Sequence, residues 1–476
     1  MDRRLSPFLL RLDLRAPALA AAAACLAALV LAGVVRRAPL ALAALIYLDA
    51  LAAFFVVALC AGMLLRAVAV PAEPFAPPRR LIGFGLLLGA IITPLALPAA
   101  GMLLLGMLAI TAPDRRPARL VALLSAGALV AAAGILALRG VFAFSDPLAG
   151  AALDGSLFGL ILLAAVLPLL LQAAAPAEQA PDQAIAQIIW LFPLARLYTI
   201  SPWNEGWSFA AILLGTAIML WAAIGTLRGS AATHRHTQLH SGMLGMALSG
   251  IGLASGAGIA AACAAIGAWL ISVAATDEAH PAAGASISPP LTRWLLSGAF
   301  PLSAPFVATW MLVGATIAGG LSLLAALSWI AMLLHAVAVM ASPPPVGRRR
   351  LVVCAAASLA AGILTPPLTM ALVQPVIEQL QGGLTVYGDT AIRPWVGIAL
   401  IDSARREVTV LPSLALAGLM LVLSALVYLL ARLRGIPNTR GVDNASHDSA
   451  ALLEALHTAV PWLSILIKPR NRHERR

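Results

Sequence analysis

Long apolar runs separated by short polar or basic stretches dominate the chain. A bilayer core requires about 20 apolar residues per helix, a length that most of these runs reach. Splitting the longer runs at glycine, proline and polar positions predicts about 12 to 14 spans. Barrel strands would alternate over short segments instead, so the pattern predicts an all-α polytopic membrane helical bundle. The runs lie at 17–35, 41–65, 81–111, 118–138, 155–173, 207–227, 242–275, 311–341, 351–373 and 409–431.

Composition agrees with this prediction. The 476 residues are 61% hydrophobic and 11% charged, and the mean hydropathy is +0.94, well above that of soluble globular proteins. The N-terminal run follows a basic flank and is long enough to span, so we expect the first membrane helix there rather than a cleaved signal. The cysteines are isolated in apolar runs without metal-ligand spacing, which is typical of small packing residues: Cys25, Cys60, Cys263 and Cys354.

The net charge of +11 comes almost entirely from arginine, since Lys468 is the single lysine. The arginines cluster between apolar runs, at 36–37, 79–80, 115–119 and 348–350, where their side chains can reach lipid headgroups. Charge buried in lipid is costly, so arginines at the headgroups of the lipid bilayer are expected. They explain the positive net charge without a nucleic-acid partner. The clusters flank both ends of several spans and leave the orientation open.

The composition changes after residue 435 and predicts two regions, a polytopic transmembrane domain over 1–435 and a tail over 436–476. The tail begins with a polar linker, and 450–467 then places apolar residues on one helical stripe ahead of basic residues. This pattern favours a short amphipathic helix on the membrane or on a partner. A frayed tail is the alternative, because Pro461 interrupts the helix.

One apolar stretch, GAFPLSAPFVATW at 298–310, carries Pro301 and Pro305 four residues apart. Proline removes an intrahelical hydrogen bond, and in a bilayer the freed carbonyl must find a partner inside the protein. The stretch therefore predicts a broken helix packed against neighbours, like the broken helices that line the substrate path of transporters. A kink with a purely structural role is the alternative.

The order of residues here resembles the antiporter-like L, M and N subunits of complex I, the NADH-quinone oxidoreductase, and the Mrp-type cation/proton antiporters. That family carries a Gly-x-Pro-Pro-x-x-Gly-Phe pattern at this place, and Leu302 and Pro305 replace its second proline and its second glycine. The comparable positions in this chain are Gly298, Pro301, Pro305 and Phe306.

Other segments support the resemblance. LARLYTISPW at 194–203 is similar to the family's Leu-x-Arg-x-Tyr segment, and YLDALAAFFVV at 47–57 is weakly similar to its Asp-Gly-Leu-Ser helix. The resemblance is best over residues 185–340 and weaker over 40–140. The family's short basic loop corresponds to three residues of this chain, His234, Arg235 and His236.

The resemblance implies two inverted five-helix repeats, with broken helices near 185–200, which includes Pro193, and near 298–312. It implies a non-catalytic membrane-arm subunit of a complex I-type NADH-quinone oxidoreductase, or of a related hydrogenase or carbon-uptake complex, in the cell inner membrane. The expected partners are other membrane-arm subunits and a hydrophilic redox module. The sequence contains no phosphate loop, nucleophile elbow or dinucleotide fingerprint, and we expect no cofactor and no metal.

This chain departs from the family at the groups that carry protons. The family uses a glutamate, lysines on the broken helices and linking histidines, and lysine suits this role because burial moves its pKa toward neutrality. Here Thr309 stands at the lysine position of the second broken helix, Gln187 or Ile188 stands at that of the first, and 79–177 contains no glutamate. Arginine does not release its proton in the accessible range. We therefore expect weak or no proton conduction.

Few titratable candidates for an ion path remain. His335 lies within AMLLHAVAVM and can titrate near neutral pH, although a lone histidine in an apolar helix is more often a packing residue. We expect Arg196 to extend toward the headgroups or, as the alternative, to pair with a carboxylate of a neighbouring subunit. The acidic residues near span ends are expected to be solvated, namely Asp49, Asp146, Asp154 and Glu205.

A histidine cluster and two further functions stay open. For His234, His236 and His240, metal binding or pH sensing competes with an exposed polar turn, which is favoured because no Cys, Asp or Glu lies close by. The chain as a whole has two alternative functions besides the subunit role. One is an assembly scaffold without an ion path, and the other is an independent secondary transporter with a midplane site of backbone, Ser303, Thr309 and His335.

Overall fold

The structure is a computed structural model. The predictions for Gly298, Pro301, Asp146, Asp154 and the tail lie outside the residues that it describes. The described residues are 7–36, 39–42, 46–69, 78–111, 116–143, 155–174, 181–228, 232–275, 295–296, 302–341, 348–380, 383–384, 390–393, 399–402, 408–410 and 422.

The first part of the chain contains a short hairpin that the apolar pattern did not predict. The run 41–65 was expected to form one span, but its first residues pair as an antiparallel hairpin, with Leu40 opposite Leu48. A helix begins only at Ala50, where the Asp49 carboxylate accepts a hydrogen bond of 2.9 Å from Ala52 N and caps the first turn. The elements are α1 (Pro7–Val35), β1 (Leu40–Leu42), β2 (Ile46–Leu48), α2 (Ala50–Ala69), α3 (Pro78–Ile92), α4 (Ala96–Ile110), α5 (Arg116–Leu138) and α6 (Gly155–Ala174).

The remaining described elements are helices, apart from a three-stranded antiparallel sheet after residue 389. The last helix continues to Leu380, seven residues beyond the end of the apolar run 351–373. The elements are α7 (Pro181–Ala186), a 3-10 helix (Gln187–Trp190), α8 (Leu191–Ile200), α9 (Glu205–Arg228), α10 (Ala232–Gly252), α11 (Gly256–Ala275), α12 (Ala304–Ala318), α13 (Ser322–Ala341), α14 (Arg348–Ile363), α15 (Thr365–Leu368), a π-helix (Thr369–Val373), α16 (Gln374–Leu380), β3 (Thr390–Arg393), β4 (Ala399–Asp402) and β5 (Val408–Val410).

Helix α11 lies at the centre of the bundle. Of its most apolar stretch, 89% is buried, whereas about half of the corresponding stretch is buried in α2, α5 and α9. It packs against α2, α10, α12 and α14. Its sequence, GAGIAAACAAIGAWLISVAA, consists almost entirely of small and apolar residues, which lets neighbouring helices approach from every side.

Glycines allow α9, α10 and α11 to pack closely. A Cβ added at Gly215 of α9 would lie 2.5 Å from the carbonyl oxygen of Gly245 on α10. A Cβ at Gly250 of α10 would lie 2.7 Å from the carbonyl oxygen of Gly258 on α11. Small residues at helix crossings allow close contact between backbones, which is a main source of helix association in membranes.

The helical bundle predicted from the sequence is confirmed. Four helices of the described part are long and apolar enough to span a membrane, and shorter apolar helices accompany them. The total of about 12 to 14 spans stays a prediction. The four long segments are Ala50–Ala69, Pro117–Leu138, Glu205–Thr226 and Gly256–Ala275.

Candidate functional site

The first predicted broken helix corresponds to a change of helix type within residues 181–200. Helices α7 and α8 are joined by the 3-10 helix Gln187–Trp190, whose residues are all buried. Pro193 explains the change of helix type, because its ring nitrogen cannot donate to the carbonyl of Ile189 four residues earlier. Leu191 N instead donates to Ile188 O. Gln187, at a predicted ion-path position, therefore lies at the start of the interruption.

The second predicted broken helix is supported from the side by α14. The Ser358 hydroxyl donates to Leu295 O at 2.7 Å and accepts from Ala304 N at 3.3 Å, so one side chain bonds the chain before and after the interruption. A Cβ added at Gly362 would collide with the carbonyl oxygen of Leu302. The chain on either side of residues 297–301 is thus bonded by a neighbouring helix, as the cost of unpaired backbone groups in a bilayer requires.

Pro305 does not break a helix. It lies in the first turn of α12, where proline is tolerated because its missing N–H has no intrahelical partner there. The Ser303 hydroxyl caps this turn by accepting from Phe306 N at 3.4 Å. The prediction that Pro305 frees a carbonyl inside a helix was therefore wrong, and the proline instead marks the beginning of α12.

Asp49 and Arg196 form an ion pair between the start of α2 and α8, and both side chains are almost fully buried. Two predictions were therefore wrong: Asp49 is not solvated, and Arg196 neither reaches the headgroups nor needs a carboxylate of another subunit. The two residues are 147 positions apart in the chain, and this distance hid the pair from sequence reasoning. Glu205, by contrast, is exposed as predicted.

Gln379 bonds to the Asp49–Arg196 pair, and we call Asp49, Arg196 and Gln379 the charge centre. Its Nε2 donates to Asp49 Oδ2 at 2.6 Å, and its Oε1 accepts from Leu51 N at 3.0 Å. With Ala52 N and Arg196, the Asp49 carboxylate thus accepts from three donors. Sequence reasoning missed Gln379 because it lies beyond the apolar run 351–373.

Aromatic rings cover the guanidinium of Arg196. Its central carbon lies 5.2 Å from the ring centre of Phe192 and 5.9 Å from that of Tyr47, which are cation–π distances. Tyr47 belongs to the hairpin outside α2. Burial raises the pKa of its phenol, and the Asp49 carboxylate adds to the rise while Arg196 opposes it, so the ring stays neutral.

His335 is fully buried where α13 meets α9 and α10. Its Nδ1 lies 3.5 Å from the Thr226 hydroxyl. Its Nε2 has no hydrogen-bond partner within the described part of the chain, and it points at Gly242, where an added Cβ would collide with it. The imidazole thus fills a notch in α10 that only glycine leaves open.

Gly242→Ala is expected to lower the free energy of unfolding by about 1–3 kcal/mol, because an added methyl group overpacks a tight contact. Thermal unfolding of the detergent-purified chain measures the change. Gly127→Ala on α5 is the matched control, since a Cβ there meets nothing within 4 Å. Equal unfolding midpoints for the two variants would contradict a filled notch.

The remaining candidate residues are engaged separately. Thr309 is buried on α12, and its hydroxyl donates to Pro305 O of the same helix at 2.8 Å. The basic residues assigned to a loop lie in the first turns of α10, so that assignment was wrong: His234, Arg235 and His236. His240, expected with them in an exposed polar turn, is instead buried in the same helix. In the described part of the chain, no group of three or more His, Cys, Asp or Glu side chains could hold a metal ion.

Buried charge is scarce. Within the described residues, the buried charged side chains are Asp49, Arg196 and Arg350. Arg350, expected at the headgroups with its cluster, donates its Nε–H to Ala274 O at 2.6 Å and so caps the C-terminus of α11. A cation at this end of a helix is favourable because the unpaired carbonyls carry partial negative charge.

Comparisons with known proteins address the fold. No protein-family model matches the chain, and no curated protein matches its sequence. A chain of the Mrp complex from Dietzia sp. DQ12-45-1b is similar in structure, with a TM-score of 0.58 and 17% identity over 79% of this chain and 92% of that chain.

Two respiratory complexes contain similar chains. For respiratory complex I from Thermus thermophilus with bound NADH, the TM-score is 0.58 and the identity 16%, over 77% of this chain and 94% of that chain. For the membrane-bound sulfane sulfur reductase, an archaeal respiratory membrane complex, the TM-score is 0.60 and the identity 15%, over 88% of this chain and 81% of that chain.

Identities this low establish the fold alone, and at that level the predicted resemblance is confirmed. The chain is a multi-pass membrane protein that shares its fold with chains of an Mrp complex, of respiratory complex I and of the membrane-bound sulfane sulfur reductase.

Proposed function

We propose that this chain is an antiporter-like membrane-arm subunit of a complex I-type NADH-quinone oxidoreductase or a related complex in the plasma membrane. In this role it supports proton translocation structurally and conducts protons weakly or not at all. The observation that carries the proposal is the state of the buried charges. Asp49, Arg196 and Arg350 are each held by fixed partners, and the sequence offers no lysine before residue 468.

A proton path through a bilayer needs groups that exchange charge. Arginine keeps its proton throughout the accessible range, and the Asp49 carboxylate already accepts from three donors. The position expected to carry the second lysine is occupied by Thr309, whose hydroxyl already bonds within its own helix. His335 Nε2 faces the backbone of α10 at Gly242, which leaves little room for a proton-carrying water.

The proposed partners follow from the fold. The similar chains belong to an Mrp complex, a respiratory complex and a sulfane sulfur reductase complex, all of which are assemblies. Other membrane-arm subunits would pack beside this chain, and a hydrophilic redox module would complete the assembly.

Purification of the tagged chain from its native membrane in mild detergent tests the subunit role. We expect it to elute with other polytopic chains and with a hydrophilic redox protein. Elution alone, together with saturable solute uptake in proteoliposomes, would replace the proposal with an independent secondary transporter. Elution with membrane chains but no redox protein would favour an assembly scaffold.

Proton flux into proteoliposomes tests conduction. We expect flux through the purified chain to equal that of protein-free vesicles, and His335→Ala to leave it unchanged, because the buried charges do not exchange protons. Leu333→Ala, on the same helix, controls for a loosened bundle. Flux above background that His335→Ala lowers and Leu333→Ala does not would contradict the proposal and identify a residual path.

A further inference from the structure

Four aromatic side chains form a continuous column at one end of the bundle. Tyr198 stacks on Trp203 with ring centres 4.4 Å apart and planes at 12°. Trp203 meets Phe158 edge to face at 4.8 Å, and Phe158 stacks on Trp207 at 4.5 Å and 16°. The column joins the end of α8 to the beginnings of α6 and α9. We call Phe158, Tyr198, Trp203 and Trp207 the aromatic plug.

The plug lies directly beneath a polar turn. Asn204 and Glu205, between α8 and α9, are exposed, as expected for residues that face water at a membrane surface. Trp207 is half-buried at the rim, whereas the other three rings are buried. The column therefore lies between the water-facing turn and the interior of the bundle.

The part of the chain beneath the plug is the interrupted helix. Tyr198 follows the charge centre residue Arg196 by two positions, and the 3-10 helix Gln187–Trp190 lies further down the same element. An interrupted helix has weaker backbone hydrogen bonds than a continuous one, so water at this place would compete for them. Exclusion of water also strengthens the Asp49–Arg196 pair, because charges interact more strongly at low dielectric.

Contacts from two other elements hold the plug in place. The Tyr198 hydroxyl donates to Ile251 O at the end of α10, at 2.5 Å. On the other side, Gly383 approaches the Tyr198 carbonyl so closely that an added Cβ would collide with it. Tyr198, the ring at the inner end of the column, is thus attached to the α10 backbone and lies against Gly383 in the segment after α16.

We propose that the aromatic plug seals this end of the bundle and keeps water away from the interrupted helix α7–α8. Hydrophobic constrictions stop ion movement by excluding water, and stacked rings form a constriction that bends little. The inference deepens the proposed function and rests on it, since a permanent seal suits a subunit that does not conduct. The seal accounts for the absence of proton conduction at this end of the bundle independently of the missing lysines.

Thiol labelling of the full chain in native membrane vesicles tests the seal. Leu194 is fully buried on α8 and lies one turn before Tyr198 on the same face, so Leu194→Cys places a thiol beneath the plug. A water-soluble maleimide is the probe, and the parent chain with its 4 native cysteines supplies the background. We expect no labelling of Leu194→Cys above this background.

Trp203→Ala opens the plug in the same experiment. We expect labelling of Leu194→Cys to rise by about tenfold or more, which corresponds to about 1.4 kcal/mol of easier opening. Trp221→Ala is the matched control, because this tryptophan lies near the other end of α9 and is 58% exposed. If Trp203→Ala prevents accumulation of the chain, Phe158→Leu provides a milder opening of the same column.

The outcomes separate the plug from the proposed function. Labelling of Leu194→Cys with the plug intact, or no increase in either opened variant, would overturn the plug. Proton flux through the unmodified chain, with Leu194→Cys still unlabelled, would overturn the proposed function and leave the plug standing. If the opened variant is labelled but shows no proton flux, both the aromatic plug and the proposed function are supported. Water entry alone supplies no group that exchanges charge.

Discussion

Arg196→Ala is expected to lower the free energy of unfolding by about 3–5 kcal/mol and to sharply reduce the amount of chain in the membrane. Removing one partner of a buried ion pair leaves the other charge without compensation. Here the Asp49 carboxylate, 2% exposed, would keep only its hydrogen bonds to Ala52 N and Gln379. Thermal unfolding in detergent and quantitative blotting of membranes measure the two effects.

A double substitution distinguishes the charge pair from simple loss of packing. Asp49→Asn together with Arg196→Gln removes both charges and keeps groups that can hydrogen-bond, so most of the lost stability should return. Arg36→Ala, at an exposed position after α1, should leave stability unchanged. If Arg196→Ala unfolds at the same temperature as Arg36→Ala, the charge centre does not stabilise the fold.

Gly362→Ala is expected to destabilise the second broken helix by about 1–3 kcal/mol or more. A Cβ at this position collides with the backbone oxygen of Leu302, and backbone cannot move aside as a flexible side chain does. The collision pushes the turn before α12 away from α14. The Ser358 hydroxyl would then lose its bonds to Leu295 O and Ala304 N, which a bilayer does not replace.

The unfolding temperature of Gly362→Ala, compared with that of Gly134→Ala, measures this effect. An added Cβ at Gly134 on α5 meets nothing within 4 Å, so alanine there should be neutral or slightly stabilising through its better helix propensity. Ser358→Ala should reproduce part of the loss seen in Gly362→Ala. If Gly362→Ala matches Gly134→Ala, α14 does not hold the interruption.

Local sequence chemistry predicted the helical bundle correctly, because apolar runs of span length depend on neighbouring residues alone. The first interruption was expected from the family resemblance and not from the proline within it. Pro305 illustrates the limit of this reasoning. A proline inside an apolar run can kink a helix or begin one, and the Ser303 cap that decides between these outcomes becomes evident only when the helix start is known.

The charge centre could not be predicted because its members come from three distant parts of the chain. Asp49 precedes α2, Arg196 lies on α8 and Gln379 lies on α16. Taken singly, an arginine or aspartate near the end of a span is best explained by contact with water or headgroups. Only the packing of α2, α8 and α16 removes that contact and replaces it with a partner.

The amino-acid sequence alone determined that this is a helical membrane protein and that it contains no lysine before residue 468. These properties follow from residue type and spacing along the chain. Tertiary structure alone decided which polar groups are paired, at which glycines a neighbouring helix or side chain approaches closely, and which rings close one end of the bundle. Each of these depends on distances between segments far apart in the chain, and hydrophobic periodicity carries no information about them.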